Sequence, residues 1–342
     1  MVICRCHREE RSAVAIHLEF QLDCRARRAG LAMTNQPDPL PSKAPGTPFR
    51  RPRRTMPIFL LAAPKRETIT FRMRFEDFCE EVPDHLLPPL DRKDPGDDII
   101  MTPDAASWRE NGYLILPKFL PESLVEAYRR AFIAAGVSPG GFGGPQPFLK
   151  QPEMLDLCCF PPLVKKIEEL IPTPMGVNLG LTAWISTTRT WHQDDYLNPP
   201  YMNGWYVAVW MALDDIAPDS GVFEYVPGSH RWPLMRGEKV RAALTPEQQQ
   251  GMWPRHAEDL VTPLFDEKIA ETGLPIKKFL ARKGDVLIWH ARLAHRGSLP
   301  KVPGALRPAL IAHYSSITRR IEMPLHRRHK DGSFYIIYQP PK

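Results

Sequence analysis

From about Val177 onward the hydrophobic period of the chain is two, and short apolar runs alternate with Gly/Pro turn signals. No other pattern in the 342 residues restricts the fold as much. The clearest runs cover residues 179–186, 205–213, 222–226, 285–290 and 308–317. Many short strands punctuated in this way point to a jelly roll. The fold expected is an all-β core with flanking α-helices, a double-stranded β-helix of cupin-like type. The helices come first. Thr102 or Asp104 can cap a helix that runs to Asn111 and stops at Gly112, followed by a short strand over 113–117. A second, amphipathic helix is expected over 121–135. A third covers 163–171, with Leu163, Ile167, Leu170 and Ile171 on one face. Residues 139–147 form a Gly/Pro loop of the kind that overlies a cleft. Residues 236–278 interrupt the strands with polar, helix-like sequence and read as a lid-like insertion.

The chemistry concentrates in His192-Gln193-Asp194, in His295 103 residues after His192, and in Arg307. His192 and Asp194 are two apart, so in extended backbone both side chains project to one face, where a divalent ion can bridge them. Two imidazoles and one carboxylate can occupy one face of an octahedral metal, the facial triad of non-haem Fe(II) oxygenases, and leave three positions open. Arg307 opens a strand that reads as buried, where an unpaired guanidinium is costly. It therefore needs an anion, either a structural Asp/Glu or a bound carboxylate, which a planar guanidinium grips in bidentate fashion. Ala309, Ile311 and His313 share its face of the strand, and His313 reads first as a satisfied core histidine. His290 is the rival to His295 but lacks a following Gly-Ser turn. Asp195 reads as a support for the site or an exposed residue, and His230 as a turn-fixing one. Trp184, Trp191, Trp205, Trp210 and Trp289 read as core, with some free to wall a pocket.

The flanks add a resemblance. Trp191-His-Gln-Asp-Asp195, Asp219-Ser-Gly-Val-Phe223, Val226-Pro-Gly-Ser-His230, Lys283-Gly-Asp-Val-Leu-Ile-Trp-His290, Ala294-His-Arg-Gly-Ser298 and Arg307-Pro-Ala-Leu-Ile-Ala-His-Tyr314 follow one another in order. In order and content the chain resembles the phytanoyl-CoA dioxygenase family of Fe(II)/2-oxoglutarate oxygenases, over roughly residues 105–320. The resemblance places the iron ligands on His192, Asp194 and His295. It assigns Ser298 and Arg307 to the distal carboxylate of 2-oxoglutarate, and Trp210 to an aromatic wall of that pocket. One residue, Arg296 or its neighbour, is inserted relative to the family's usual His-Gly-Ser. The implied cofactors are Fe(II), 2-oxoglutarate as cosubstrate and O2. The implied reaction hydroxylates a small organic molecule with release of succinate and CO2. Asp194 favours hydroxylation, because related halogenases lack that carboxylate. A non-catalytic jelly-roll binding protein, and a metal enzyme that ignores 2-oxoglutarate, are the competing readings. The family name does not identify the substrate.

Charge separates the chain into two parts. Residues 1–56 carry 11 Lys/Arg against 5 Asp/Glu, which accounts for the whole net charge of +6, and the rest is neutral. A nucleic-acid partner is therefore not expected, since such affinity is mainly electrostatic. Residues 1–56 are Arg- and Pro-rich with poor periodicity, and read as a disordered or non-native extension. A targeting segment, a basic tag, or translation upstream of a true start at Met33 or Met56 would each explain them, and the last is preferred. Residues 57–104 read as an irregular lead-in, and 105–342 as a single oxygenase domain. No apolar run approaches the ~20 residues needed to cross a bilayer, so no membrane partner is expected. Six cysteines without framework spacing suit a reducing compartment, and a cytoplasmic location is expected.

Overall fold

The computed structural model describes residues 72–142, 146–250 and 253–338. The expectations for residues 1–56, and for the lead-in before residue 72, lie outside these. Within the lead-in, a two-residue strand β1 (Cys79–Glu80) and three 3-10 turns precede helix α1 (Pro103–Asn111). Thr102 is the cap, its hydroxyl accepting the Ala105 amide at 3.1 Å. The helix stops at Gly112, where φ is 75° and a Cβ would stand 2.4 Å from the His230 ring. Glycine is required there on both counts. Strand β2 (Tyr113–Leu116) and helices α2 (Glu122–Ala134), α3 (Pro152–Cys158) and α4 (Pro161–Leu170) follow. Val125, Tyr128 and Phe132 on α2, and Leu163, Ile167 and Leu170 on α4, form the buried faces.

Strands β3 (Met175–Thr182), β4 (Tyr206–Ala212), β8 (Val286–His290) and β10 (Ala309–Ser316) form the centre of a seven-stranded sheet. Its order is β11 (His326–Arg328), β12 (Phe334–Ile336), β3, β10, β4, β8, β2. A second sheet sets β5 (Phe223–Tyr225) between β7 (Lys277–Phe279) and β9 (His295–Gly297). The bridge from His192 to His295 adds a further edge to it. The two sheets face each other: Phe223 of the small one meets Trp289 of the large one at 4.9 Å, and Phe279 meets Trp210 at 5.4 Å. This is the double-stranded β-helix expected from the strand pattern, with a mixed large sheet and helices on its outer side.

Burial on both sides explains why β4 reads as a nearly continuous apolar run. Ala208, Trp210 and Ala212 face the small sheet, while Val207, Val209 and Met211 pack into the helical layer. The first core strand lies four residues earlier than expected, at Met175–Thr182 rather than 179–186. Met175 and Val177 face the helical layer, so this stretch lacks the alternation that marks a half-solvated strand. Residues 183–186 peel away toward the cavity described below. Helix α3, the β11–β12 hairpin and the parallel pairing of β12 on β3 were not foreseen.

Two further differences concern segments read as peripheral. The lead-in packs as core: Phe75, Phe78 and Leu90 are buried, and the Asp91 side chain is 2% exposed. The insertion follows β6 (Leu234–Met235) and folds into α5 (Gly237–Ala242) and α6 (Trp253–Thr272). Ala257, Val261 and Phe265 of α6 form a second core with Phe75, Phe78, Trp191, Tyr196 and Leu197. It buttresses the segment that carries the H-x-D turn.

Candidate metal centre

His192 and His295 are held by one another's backbone. The His192 amide donates to the His295 carbonyl at 3.1 Å, and the His295 amide returns the bond at 3.0 Å. Each ring is then oriented by its Nδ1, which donates to the carbonyl of Thr190 (2.7 Å) or Leu293 (2.8 Å). The Nε2 lone pair of each is thereby the one left for a ligand. These atoms stand 3.7 Å from Asp194 Oδ1 and 3.7 Å from Asp194 Oδ2, respectively. All three side chains are buried, and their ligating atoms lie within 4.8 Å of one another. A single ion at bonds of about 2.1 Å bridges such a triangle. Burial depresses the His295 imidazole below its ordinary value although Asp194 pulls the other way, which favours the neutral ring that a metal needs.

The surroundings fix the ligands further. Phe223 stacks on the His295 ring at 5.3 Å and 24°, and Trp289 packs against it at 5.2 Å. The Trp289 indole donates to Asp194 Oδ2 at 3.1 Å. Asp194 and Asp195 both donate their amides to the Ala291 carbonyl, at 2.8 and 3.0 Å. Gln193, between the two ligands, donates to the carbonyls of Arg292 (2.5 Å) and Ser229 (3.3 Å). Asp195 accepts the Gly204 amide at 3.0 Å and is no ligand. His290 is bonded through Nε2 to Asp91 at 2.8 Å and lies outside the triad.

The triad opens onto a cavity lined by Leu181, Thr182, Ile185, Ser186, Arg189, Phe223, Trp289, Arg307, Ile311 and His313, among others. The Gly/Pro loop reaches it through Gly140, whereas no described residue of 236–278 lines it. Arg307 is 2% exposed. Its Nη1 donates to the Gly221 carbonyl at 2.6 Å, and its Nε has no partner among the described residues. No carboxylate of the described residues pairs with it, and burial alone pushes its pKa down to about 10. A buried guanidinium in that state is a seat for a carboxylate.

Two residues expected beside it sit differently. The Ser298 hydroxyl donates to the Val222 carbonyl at 2.9 Å, and its own carbonyl accepts from Ser186 Oγ at 2.8 Å. Ser186, not Ser298, lines the cavity. Trp210 is buried between the sheets with its ring centre 6.0 Å from the Arg307 guanidinium carbon, and it too is absent from the lining. His313 lines the cavity and its Nδ1 bonds the Tyr206 hydroxyl at 2.7 Å. Burial pushes its pKa down to about 4. The one-residue insertion is absorbed inside β9, which pairs with β5 in unbroken register from His295 to Gly297. Arg296 takes Glu224 as its ion partner at 2.7 Å and lies 4.6 Å over the Trp191 ring.

Sequence reasoning missed Arg189 and Ser186 in the lining, and the indole bond to Asp194. Arg189 is bonded to Glu258 of α6 at 2.6 Å, a pairing across 69 residues that no local pattern announces. Trp289 had one signal, its place in the strand before the distal histidine.

Residues 184–300, the stretch holding the triad, match the family model described as phytanoyl-CoA dioxygenase (PhyH). No curated protein matches the sequence. Among solved structures, the chain is similar to the non-heme alpha ketoglutarate dependent carbocyclase SnoK from nogalamycin biosynthesis. Identity is 23%, covering 64% of this chain and 84% of that one, with a TM-score of 0.44. It is also similar to EctD from S. alaskensis with 2-oxoglutarate and 5-hydroxyectoine (16%, 68% and 84%, 0.48). A third is HygX from Streptomyces hygroscopicus with nickel and 2-oxoglutarate bound (19%, 63% and 87%, 0.42).

Proposed function

With residues 184–300 matching the phytanoyl-CoA dioxygenase model, we propose that the protein is an Fe(II)- and 2-oxoglutarate-dependent dioxygenase that hydroxylates a small organic molecule. One observation carries the reading. A two-histidine, one-carboxylate face and a buried guanidinium without an anionic partner line the same cavity. The donor set fits iron, since imidazole and carboxylate on one face suit Fe(II) and leave positions open for cosubstrate and oxygen. Arg307 fits 2-oxoglutarate, whose distal carboxylate would satisfy the orphaned Nε.

When bound, iron and 2-oxoglutarate together supply the redox chemistry, in which oxidative decarboxylation to succinate and CO2 accompanies oxygen insertion into a C–H bond. The chain's own residues do the rest. His192, Asp194 and His295 would hold the metal, and the Thr190 and Leu293 carbonyls fix which ring nitrogen faces it. Arg307, braced by Gly221, orients the cosubstrate. Leu181, Ile185, Phe223 and Ile311 keep the cavity poor in water, which suits an apolar C–H substrate.

Anaerobic titration with Fe(II) and 2-oxoglutarate, following the weak visible charge-transfer band of the chelate, tests this. The band is expected in the wild type and absent in His192→Ala. Arg307→Ala should need at least about 10-fold more 2-oxoglutarate, since a charged hydrogen bond is worth about 1.5–3 kcal/mol. Metal binding without a band in the wild type would favour a metal enzyme that ignores 2-oxoglutarate. No metal binding would favour the binding-module reading.

A further inference from the structure

The buried carboxylate of Asp91 lies 93 residues before the matched segment, in the lead-in. Its Oδ2 accepts from His290 Nε2 at 2.8 Å and stands 3.4 Å from Arg292 Nη2. Those two residues begin the turn that leads into His295. Arg292 donates its amide to His290 Nδ1 at 2.9 Å, so Asp91, His290 and Arg292 form one closed cluster.

The next residues of that turn hold the metal site from below. The Ala291 carbonyl accepts the amides of Asp194 and Asp195, the Arg292 carbonyl accepts the Gln193 side chain, and the Leu293 carbonyl accepts His295 Nδ1. Three successive carbonyls thus orient two ligands, Asp194 and His295, and Gln193, which lies between His192 and Asp194. Each must be fixed for the ligands to converge, because small misplacements of ligating atoms cost affinity steeply.

The lead-in itself is pinned. Arg109 of α1 donates to the carbonyls of Leu90 (2.8 Å), Arg92 (2.6 Å) and Lys93 (2.8 Å) on either side of Asp91. The Trp205 indole donates to the Leu86 carbonyl at 2.7 Å. Next to Asp91, a Cβ at Gly204 would sit 3.1 Å from its Oδ2, so the backbone that bonds Asp195 closes over the same carboxylate.

We infer that Asp91 is a positioning residue for the metal centre: through His290 and Arg292 it locks the 291–293 carbonyls that aim Asp194 and His295. This rests on the triad being a metal site. The cluster gives Asp91 Oδ2 an imidazole and a guanidinium partner, yet a charge so deeply buried gives weak net stability compared with an apolar replacement, whereas it fixes geometry well.

The test is Co(II) titration of the full chain, read by its visible d–d bands and dissociation constant, with near-UV circular dichroism as the fold check. Asp91→Asn is expected to weaken Co(II) binding about 10-fold and alter the band pattern. Leu90→Ala, a buried change in the same strap that leaves the cluster intact, is expected to lower stability but bind Co(II) as the wild type does. Equal affinity in Asp91→Asn and wild type overturns the inference, as does an equal loss in Leu90→Ala. Should Asp91→Asn fail to fold, Arg292→Gln removes one arm of the cluster, and unchanged Co(II) affinity there overturns it as well. Absence of Co(II) binding by the wild type would instead sink the metal-site reading on which it rests.

Discussion

The two oxygens of Asp194 face His192, His295 and the Trp289 indole, and the indole bears on how they are shared. Its N–H on Oδ2 fixes the carboxylate plane so that each oxygen faces one imidazole. Trp289→Phe keeps a ring against His295 and Phe223 but removes that donor. Co(II) affinity is expected to fall about 10-fold while the far-UV spectrum is retained. An unchanged dissociation constant would mean that the indole bond does not orient Asp194. Three of the residues named from sequence, His192, Asp194 and His295, converge in space, and Arg307 faces the same cavity. They were legible because their chemistry is confined to short motifs. Ser298 and Trp210 were placed by likeness alone, and neither lines the cavity in this chain. Asp91 left no trace in the sequence, since its partner His290 lies 199 residues away and Arg292 just beyond it.

Among the elements, the turn at Gly221 joins the two sheets at the cosubstrate end. Its φ is 78°, and a Cβ there would lie 2.6 Å from both Ser186 Cβ and the Ser298 carbonyl. Gly221→Ala should cost more than the roughly 1–2 kcal/mol of a left-handed alanine, read as a lower urea midpoint. It should also weaken 2-oxoglutarate binding, because the Gly221 carbonyl is the only hydrogen-bond acceptor of the Arg307 side chain among the described residues. Wild-type 2-oxoglutarate affinity in the folded variant would show that Arg307 needs no such brace. Strands β4, β8 and β10 were readable to within a residue or two, being long apolar runs bounded by turn residues. The start of β3 was not, since a strand covered on both faces has no period to read. Neither were β11 and β12, three residues each, whose pairing depends on a sheet edge formed far away in sequence.

At the scale of the whole molecule, the lead-in and the 236–278 insertion are the parts whose packing no local pattern announces. Both lack strong periodicity, and both are ordered by contacts with the core and with each other. One titration reports on this packing. His230 is 3% exposed, and burial, aided by nearby His290, pushes its pKa down to about 3. The unfolded chain binds a proton at about 6.5, so the folded state binds it less tightly. Stability is then full above that pH and declines as pH falls from about 6.5 toward 3, by up to about 1.4 kcal/mol per unit. Urea midpoints at pH 7 and pH 5 should differ, and less so in His230→Asn. A slope identical in the variant would assign the decline to other groups.

The mutual backbone bonds of His192 and His295 close a loop of about 100 residues. Loop closure on that scale carries an entropic cost that is recovered only once both sheets have met. The intervening chain includes β4, β5, α6 and β8, so the ligand atoms converge only after that stretch has folded back on itself. Metal occupancy is thus a certificate that this loop has closed: a nascent chain offers isolated histidines, and only the closed one offers a centre.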